Sequence, residues 1–94
     1  MAKRRYFVDV EKAIKFLAQA YGLTAFEVNY YHVKIRNSEF KGTFNWYHTQ
    51  GTVTVEAENY SANVGEAGTD EDVALLINNY INKKVYGNTR THNR

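Results

Sequence analysis

The centre of the chain reads Phe44-Asn45-Trp46-Tyr47-His48-Thr49-Gln50-Gly51-Thr52-Val53-Thr54-Val55. Before the turn, aromatic side chains alternate with other residues, and after the turn threonine alternates with valine. Two such runs around a turn that contains glycine are typical of a β-hairpin. The only tryptophan of the chain lies in the first run, so we expect this hairpin to place the largest side chain against the core.

One further strand is predicted before this hairpin, over residues 26–36. The two halves of this segment alternate in opposite phase. Because a slip of one residue reverses the direction of every side chain, we expect a bulge or a strand start near Tyr30. Asn37, Ser38 and Glu39 then have the composition of a turn.

The second and third strands are expected at residues 40–47 and 52–57, joined by the turn at residues 48–51. Gly51 is free to adopt the positive φ that this turn needs. Residues 59–68 are polar, contain two glycines and show no period. They are predicted to form a mobile loop.

An amphipathic helix is predicted before the strands and another after them. The first begins after Asp9, a good N-cap, and ends at Gly22. The second begins after Thr69, which Asp72 follows in a variant of the capping box, and ends at Gly87. The apolar stripes consist of Val10, Ala13, Ile14, Leu17 and Tyr21, with Phe16 at the edge, and of Val73, Leu76, Ile77, Tyr80, Ile81 and Val85.

The order of elements is therefore α-β-β-β-α, which predicts the α+β class. Two amphipathic helices need one apolar sheet face to cover, so we expect a two-layer sandwich of a three-stranded antiparallel sheet with two helices on one face. The 94 residues suffice for a single domain, residues 1–94. Residues 1–8 are expected to form a basic N-terminal arm and residues 88–94 a flexible basic C-terminal tail.

The formal net charge of +2 conceals an uneven distribution. Three basic residues lie within the first five, and four more lie between Lys83 and Arg94, whereas residues 6–82 carry ten acidic and five basic side chains. Basic arms commonly contact phosphate, although they also serve as solubilising tails.

The composition also bears on the cellular compartment. The chain has no cysteine, which excludes disulfides and thiolate metal sites. It has no apolar run near the roughly 20 residues of a membrane helix. Charged residues soon interrupt the basic start, so we expect no signal peptide. These features predict a soluble, cytoplasmic protein that does not interact with a membrane.

Residues with catalytic or metal-binding chemistry are sparse. The two serines, Ser38 and Ser61, lie outside any nucleophile elbow. His48 lies in a turn, where we expect a solvated side chain, although it could serve as an acid or base. The three histidines do not have the spacing of metal ligands, and the acidic residues 70–72 are explained by helix capping. We therefore predict no catalytic residue, no metal and no cofactor.

The second face of the predicted sheet is the more informative feature. Since the helices cover one face, the other must meet water or a partner. Its side chains mix aromatic and basic groups, which suit either a protein surface or nucleic acid. The residues assigned to it are Tyr30, His32, Lys34, Arg36, Lys41, Thr43, Asn45, Tyr47, Thr52, Thr54 and Glu56.

The helix–strand–strand–strand–helix order resembles that of double-stranded RNA-binding domains. Those domains open their second helix with a Gly-rich segment that bears lysines and grips phosphates. Here the matching segment is Glu66-Ala67-Gly68-Thr69-Asp70-Glu71-Asp72, which is acidic and repels phosphate. The activity of that family is therefore not transferred to this chain.

Two other motifs resemble small accessory proteins encoded by phages and prophages. They are Trp46-Tyr47-His48-Thr49-Gln50-Gly51-Thr52 and Leu76-Ile77-Asn78-Asn79-Tyr80-Ile81. The likeness spans roughly residues 10 to 82 and departs at His48, where proline is common in that group, and at Gln50. The resemblance implies an origin in a mobile element, and some small phage proteins antagonise host defence.

Our leading interpretation is a non-enzymatic module that binds a host or phage protein. One version of this hypothesis is an inhibitor of host defence. The predicted contact residues are Tyr30, His32, Arg36, Lys41 and Tyr47, since Tyr and Arg dominate binding hot spots. The alternative is nucleic-acid binding through Lys3, Arg4, Arg5, Lys34, Arg36, Lys83, Lys84, Arg90 and Arg94. A small hydrolase that uses His48 is the third hypothesis, and the oligomeric state is left open because edge strands can pair.

Overall fold

A computed structural model describes residues 6–86 of the chain. Five strands form one antiparallel sheet, and two helices form a second layer. Each strand pairs with its neighbour in sequence, in the order β1-β2-β3-β4-β5. The elements are α1 (Val10–Tyr21), β1 (Thr24–Asn29), β2 (His32–Asn37), β3 (Phe40–Tyr47), β4 (Thr52–Ala57), β5 (Ser61–Glu66) and α2 (Asp70–Ile81), which continues as a single π-helical turn, Asn82–Tyr86. The α+β class is thereby confirmed.

The expectation of three strands was wrong, first because residues 26–36 form a hairpin instead of one strand. Tyr30 and Tyr31 make the turn between β1 and β2, and the amide of Tyr31 donates a hydrogen bond of 3.1 Å to Oδ1 of Asn29. The change of phase in the sequence marks this turn. An asparagine side chain that caps its own turn replaces the glycine that usually signals a hairpin.

The second missed strand lies in the segment expected to be a mobile loop. β5 pairs with β4 along its whole length, with Thr54 opposite Asn63 and Thr52 opposite Glu66. The register shifts at Val64, where a β-bulge interrupts the alternation. An edge strand with small and polar residues and a bulge has no period of two, so the sequence gives no strand signal there.

Both helix starts agree with the capping residues predicted from the sequence. Oδ1 of Asp9 accepts the amide of Lys12 at 3.3 Å, and Oγ1 of Thr69 accepts the amide of Asp72 at 3.1 Å. α1 ends at Gly22, which adopts the left-handed conformation with φ 66°. The side chain of Val85 and the whole of Gly87, assigned to the second helix and its end, lie outside the described part of the chain.

The core lies between the helices and one face of the sheet. Residues of both helices and the alternate residues of the central strands form a single buried cluster, so both helices pack on the same face. The cluster consists of Ala13, Leu17, Leu23, Val33, Ile35, Phe44, Trp46, Val53, Val55, Ala67, Val73, Ala74, Ile77 and Ile81. Phe16 packs against this cluster from the edge of the helical stripe.

Trp46 is the largest fully buried side chain, as the hairpin pattern predicted. It is flanked in register by Val33 on β2 and Val53 on β4. Its indole Nε1–H donates a hydrogen bond of 3.0 Å to the carbonyl oxygen of Ala67, just before α2. A buried indole donor requires such an acceptor, so this bond fixes the entry of α2 relative to the sheet.

Tyr6, the first described residue of the predicted basic arm, is held by the fold. The amide of Tyr6 donates to the carbonyl oxygen of Thr49 at 2.9 Å, and its hydroxyl donates to Oε2 of Glu66 at 3.0 Å. The Tyr6 ring lies over Gly68, close enough that a Cβ at Gly68 would collide with it. Within residues 6–86, neither helix has the length and apolar content needed to cross a membrane.

We predict that Trp46→Phe lowers the free energy of unfolding by about 2–3 kcal/mol, because it leaves a cavity and an unpaired Ala67 carbonyl. Chemical denaturation followed by far-UV circular dichroism measures the change. Phe7→Leu, at an exposed aromatic residue, is the matched control and should be neutral. A loss below about 0.5 kcal/mol for Trp46→Phe would contradict the assigned role of the indole.

Gly68→Ala should destabilise the protein by about 1–2 kcal/mol, because the new methyl group displaces the Tyr6 ring. The same substitution in a Tyr6→Ala background should be nearly neutral, since the obstacle is gone. The difference between the two backgrounds in denaturation experiments measures the coupling. Equal losses in both backgrounds would show that Tyr6 does not limit the space at Gly68.

Candidate functional site

The face of the sheet opposite the helices is here called the open face. Both helices bury their apolar residues on the other side, so within residues 6–86 no helix covers it. One row of neighbours in register crosses all five strands: Phe26, Lys34, Asn45, Thr54 and Asn63. The residues that the sequence assigned to this face on β2, β3 and β4 alternate with core residues, as expected, whereas Tyr30 lies in the turn before β2.

Aromatic side chains gather at one end of the open face. Tyr31 and Tyr47 stack with ring centroids 6.5 Å apart and an interplanar angle of 26°, and Tyr30 meets Tyr31 edge-on at 5.3 Å and 80°. These three residues are here called the tyrosine cluster. In the sequence Tyr31 alternates in phase with Val33 and Ile35, which are buried, but Tyr31 lies in the turn and is exposed.

The tyrosine cluster borders a depression of about 260 Å³, here called the tyrosine pocket. Thr49 and Gln50, from the turn between β3 and β4, complete its lining. Tyr31, Thr49 and Gln50 were not predicted as site residues. The available signal was the position of residues 30–31 and 48–51 as turns at the same end of consecutive hairpins.

A polar pair supports the cluster from within the open face. A hydrogen bond of 2.9 Å joins Nε2 of His32, which donates, to Oδ1 of Asn45. The His32 ring also stacks on Tyr47 with centroids 4.4 Å apart. Asn45 is only 3% exposed although no described helix covers this face. Tyr47 is therefore held in one orientation.

The predicted contact residues fall into two groups. Tyr30, His32 and Tyr47 lie at the cluster end, whereas Arg36 and Lys41 line a wider groove of about 650 Å³ at the opposite end. Six residue steps along β3 separate Lys41 from Tyr47, which corresponds to roughly 20 Å. The structure therefore does not bring the five residues into a single contact site.

The groove at the far end is lined by charges of both signs. Arg36 and Lys41 share it with Glu56 and Glu58, and Phe40 supplies an apolar wall. Such a mixed lining suits the charged rim of a protein interface better than the surface of a polyanion.

The described members of the nucleic-acid set do not form one surface. Lys34 and Arg36 lie on the open face, whereas Lys83 and Lys84 follow α2 in the helical layer. Nζ of Lys84 lies 5.2 Å from the ring centroid of Tyr60 and 5.7 Å from that of Tyr80. The remaining members, Lys3, Arg4, Arg5, Arg90 and Arg94, lie outside the described residues.

Tyr60 and Tyr80, whose rings both lie near the ammonium group of Lys84, are also hydrogen-bonded to each other. The hydroxyl oxygens of Tyr60 and Tyr80 are 3.0 Å apart. Burial and then this hydrogen bond raise the pKa of Tyr80 to about 12, so the phenol stays neutral in the physiological range. This contact ties the turn between β4 and β5 to α2.

His48 was expected to be solvated, and this expectation was wrong. Its side chain is 3% exposed and meets the Trp46 ring edge-on at 5.7 Å. The alternation that points Phe44 and Trp46 into the core continues past the end of β3 to His48, so the burial of His48 has a signal in the sequence. The ring that the hydrolase hypothesis needs at the surface is therefore enclosed.

The backbone amide of His48 donates a hydrogen bond of 3.1 Å to the carbonyl oxygen of Tyr31 and so joins the two turns that carry the tyrosine pocket. Neither ring nitrogen has a hydrogen-bond partner among the described residues. Burial lowers the pKa of His48, the negative charge of Glu27 opposes this shift, and the neighbouring His32 adds to it.

Among residues 6–86, no group of three or more histidine, aspartate or glutamate side chains is placed to hold a metal ion. Comparisons of the chain with protein-family models, with curated proteins and with solved structures find no significant match. The resemblances to phage accessory proteins and to double-stranded RNA-binding domains therefore stay predictions, and the proposals below depend on the geometry of this chain.

We predict that His48 makes stability depend on pH. Its pKa is lower in the folded state than the ordinary 6.5, so the unfolded chain takes up the proton first as the pH falls. The contribution of His48 to the free energy of unfolding is therefore complete above about pH 6.5, the pKa of the unfolded chain. It decreases as the pH falls below 6.5 and becomes constant below the pKa of the folded state. The free energy of unfolding of His48→Leu, measured by denaturation between pH 8 and pH 5, should lack this component. Parallel pH profiles for the two proteins would contradict the prediction.

Proposed function

We propose that this protein is a non-enzymatic protein-binding module that uses the open face of its sheet. The observation that carries the proposal is the exposed tyrosine cluster at one end of a face that no described helix covers. Tyr30 is 80% exposed although it is a large aromatic residue. Exposed aromatic clusters on a rigid scaffold are typical of surfaces that bind other proteins.

The support of the cluster favours tight binding. Tyr47 is stacked on His32, which is itself hydrogen-bonded to the buried Asn45. A contact residue that is already ordered loses little conformational entropy when a partner binds. The open face therefore combines one fixed aromatic anchor, Tyr47, with one freely accessible anchor, Tyr30.

The groove at the end of the open face opposite the tyrosine cluster would form the charged rim of the proposed interface. Arg36 and Lys41, with the facing Glu56 and Glu58, provide rim charges that select the orientation and the on-rate of a partner. A partner that reached both ends would span roughly 20 Å, which fits within the roughly 800 Å² that each partner buries in a standard protein–protein interface.

The biological setting of the proposal comes from the resemblance to phage and prophage accessory proteins. On that basis the partner is a host or phage protein in the cytoplasm of a bacterial host, and the module inhibits a component of host defence. Nucleic-acid binding has weaker support, because residues 6–82 carry twice as many acidic as basic side chains and the described basic residues are divided between two layers.

The proposal predicts a stoichiometric partner that depends on the open face. Immobilised protein is incubated with bacterial host lysate, and the captured partner is then titrated against variants. Tyr30→Ser and Arg36→Ala should each weaken binding at least about fivefold, since each removes a predicted anchor. Leu75→Ser, at an exposed apolar position on α2, is the matched control and should bind normally.

Two outcomes would overturn the proposal. One is the absence of a stoichiometric partner, or a partner that binds Tyr30→Ser and Arg36→Ala as well as the unmodified chain. The other is affinity for single- or double-stranded nucleic acid that falls steeply between two salt concentrations, which would favour the alternative function.

A further inference from the structure

The outer edge of β1 is open. Among residues 6–86, β1 pairs with β2 alone, and no turn or helix makes a backbone hydrogen bond with residues 24–29. In an antiparallel pair, alternate residues direct their amide and carbonyl groups away from the neighbouring strand. β1 therefore presents a row of backbone donors and acceptors with which a further strand can pair.

The side chains of β1 do not protect this edge. The strand, Thr24–Asn29, contains no lysine, arginine or proline, although lysine and proline are the residues that commonly block pairing at an edge. Phe26 and Val28 are exposed large apolar side chains. Pairing with another strand would remove part of this apolar surface from water, which favours association.

The opposite edge of the sheet is different. β5 has a bulge at Val64 within the strand, and Gly65 follows it with φ 153°. Residues 61–63 of β5 are exposed but small or polar. β1 has its bulge near its end, and its pairing with β2 is regular from Thr24 to Glu27. The flat, apolar edge of this sheet is therefore β1.

We propose that β1 is a dimerisation edge, at which β1 of a second copy of the chain pairs in antiparallel orientation and continues the sheet. This inference is independent of the proposed function. The strand selects this occupant because it is complementary to itself. Two identical antiparallel strands related by a two-fold axis pair about one residue, and the choice of that residue determines every contact between them.

Length and charge select Phe26 as the central residue. Pairing about Glu27 would set two carboxylates directly opposite each other, which is unfavourable. Pairing about Ala25 would use residues 24–26 of the strand alone, since β1 begins at residue 24. Pairing about Phe26 uses residues 24–28 and sets Glu27 opposite the small, neutral Ala25 of the second copy.

The open face agrees with this register. Phe26 would lie opposite Phe26 of the second copy, and aromatic pairs across antiparallel strands are favourable. Lys34 is in register with Phe26 on β2, so a lysine flanks the aromatic pair in each copy. The methylene stem of a lysine can cover apolar surface while its ammonium group stays in water. The row across the open face is thus complementary to itself.

The proposed contact is small. One short strand from each copy covers less than the roughly 1,200–2,000 Å² of a stable interface, so we expect a reversible dimer that forms at micromolar concentrations or above. The two open faces are continuous in this dimer. Because the two-fold axis reverses the strand direction, the two tyrosine clusters lie at opposite ends of the joined sheet.

The first test measures the mass of the full chain in solution. Sedimentation velocity over a range of protein concentrations should show a transition from one chain to two. Phe26→Lys places charges at the centre of the pairing and should weaken dimerisation at least about tenfold. Asn63→Lys is the matched control and should dimerise normally, because Asn63 ends the same row at the β5 edge. Thermal unfolding verifies that both variants are folded.

The second test determines the register and retains Phe26. The chain has no cysteine, so every thiol is an introduced one. Ala25→Cys and Glu27→Cys are mixed in the presence of oxidised glutathione. The proposed register sets these two positions opposite each other, at a separation close to that of a disulfide. The mixture should therefore form linked dimers several-fold faster than either variant alone. Asn63→Cys, at the other edge, measures the background of random collisions.

Three results would overturn the inference. One is a single-chain mass at every concentration, and another is a dimer that Phe26→Lys weakens no more than Asn63→Lys does. The third is linkage of the mixed variants no faster than that of either variant alone. Each of these would leave the proposed function in place, because capture of a partner on the open face does not require a second copy. A dimer that meets both tests would stand even if no partner were captured.

Discussion

The hydrogen bond from the Trp46 indole to the Ala67 carbonyl is the constraint on which the arrangement of this molecule depends. Trp46 lies in the central strand and is fully buried, so its donor has to be satisfied inside the protein. The acceptor is the backbone between β5 and α2, and the amide of Ala67 in turn donates to the carbonyl of Gly51 at 2.7 Å. Through its two backbone hydrogen bonds, Ala67 therefore connects the central strand, the turn that follows this strand and the start of the second helix.

The same strand determines the geometry of the open face. Because neighbouring residues of β3 point to opposite faces, the depth at which Trp46 is anchored also sets the position of Asn45 and Tyr47. Asn45 is buried and accepts the His32 hydrogen bond, and His32 supports the Tyr47 ring. Core packing on one side and the order of the candidate site on the other are therefore two consequences of one strand register.

Much of the fold could be predicted from local signals. Asp9 and Thr69 cap their helices by short-range hydrogen bonds, and the hairpin around Gly51 has a strong alternation and a turn with φ 88°. The change of phase predicted a bulge or a strand start near Tyr30, and β2 begins at His32, but the turn itself was missed because the side chain of Asn29 stabilises it without glycine. β5 was missed because a bulged edge strand has no regular period. At the site, His32 and Tyr47 followed from alternation. Tyr31 was missed because the pocket forms where two turns meet at one end of the sheet. The burial of His48 was missed because the alternation of Phe44 and Trp46 was not followed past the end of β3.

The meander has one consequence for how this scaffold can diversify. Its turns alternate between the two ends of the sheet, so residues 30–31 and 48–51 share one end, while residues 38–39 and 58–60 share the other. Each end is an independent platform on a common framework, and changes in length or sequence at one pair of turns leave the opposite pair untouched. Substitutions in one pair of turns can therefore change the surface at one end of the sheet while the surface at the other end is retained.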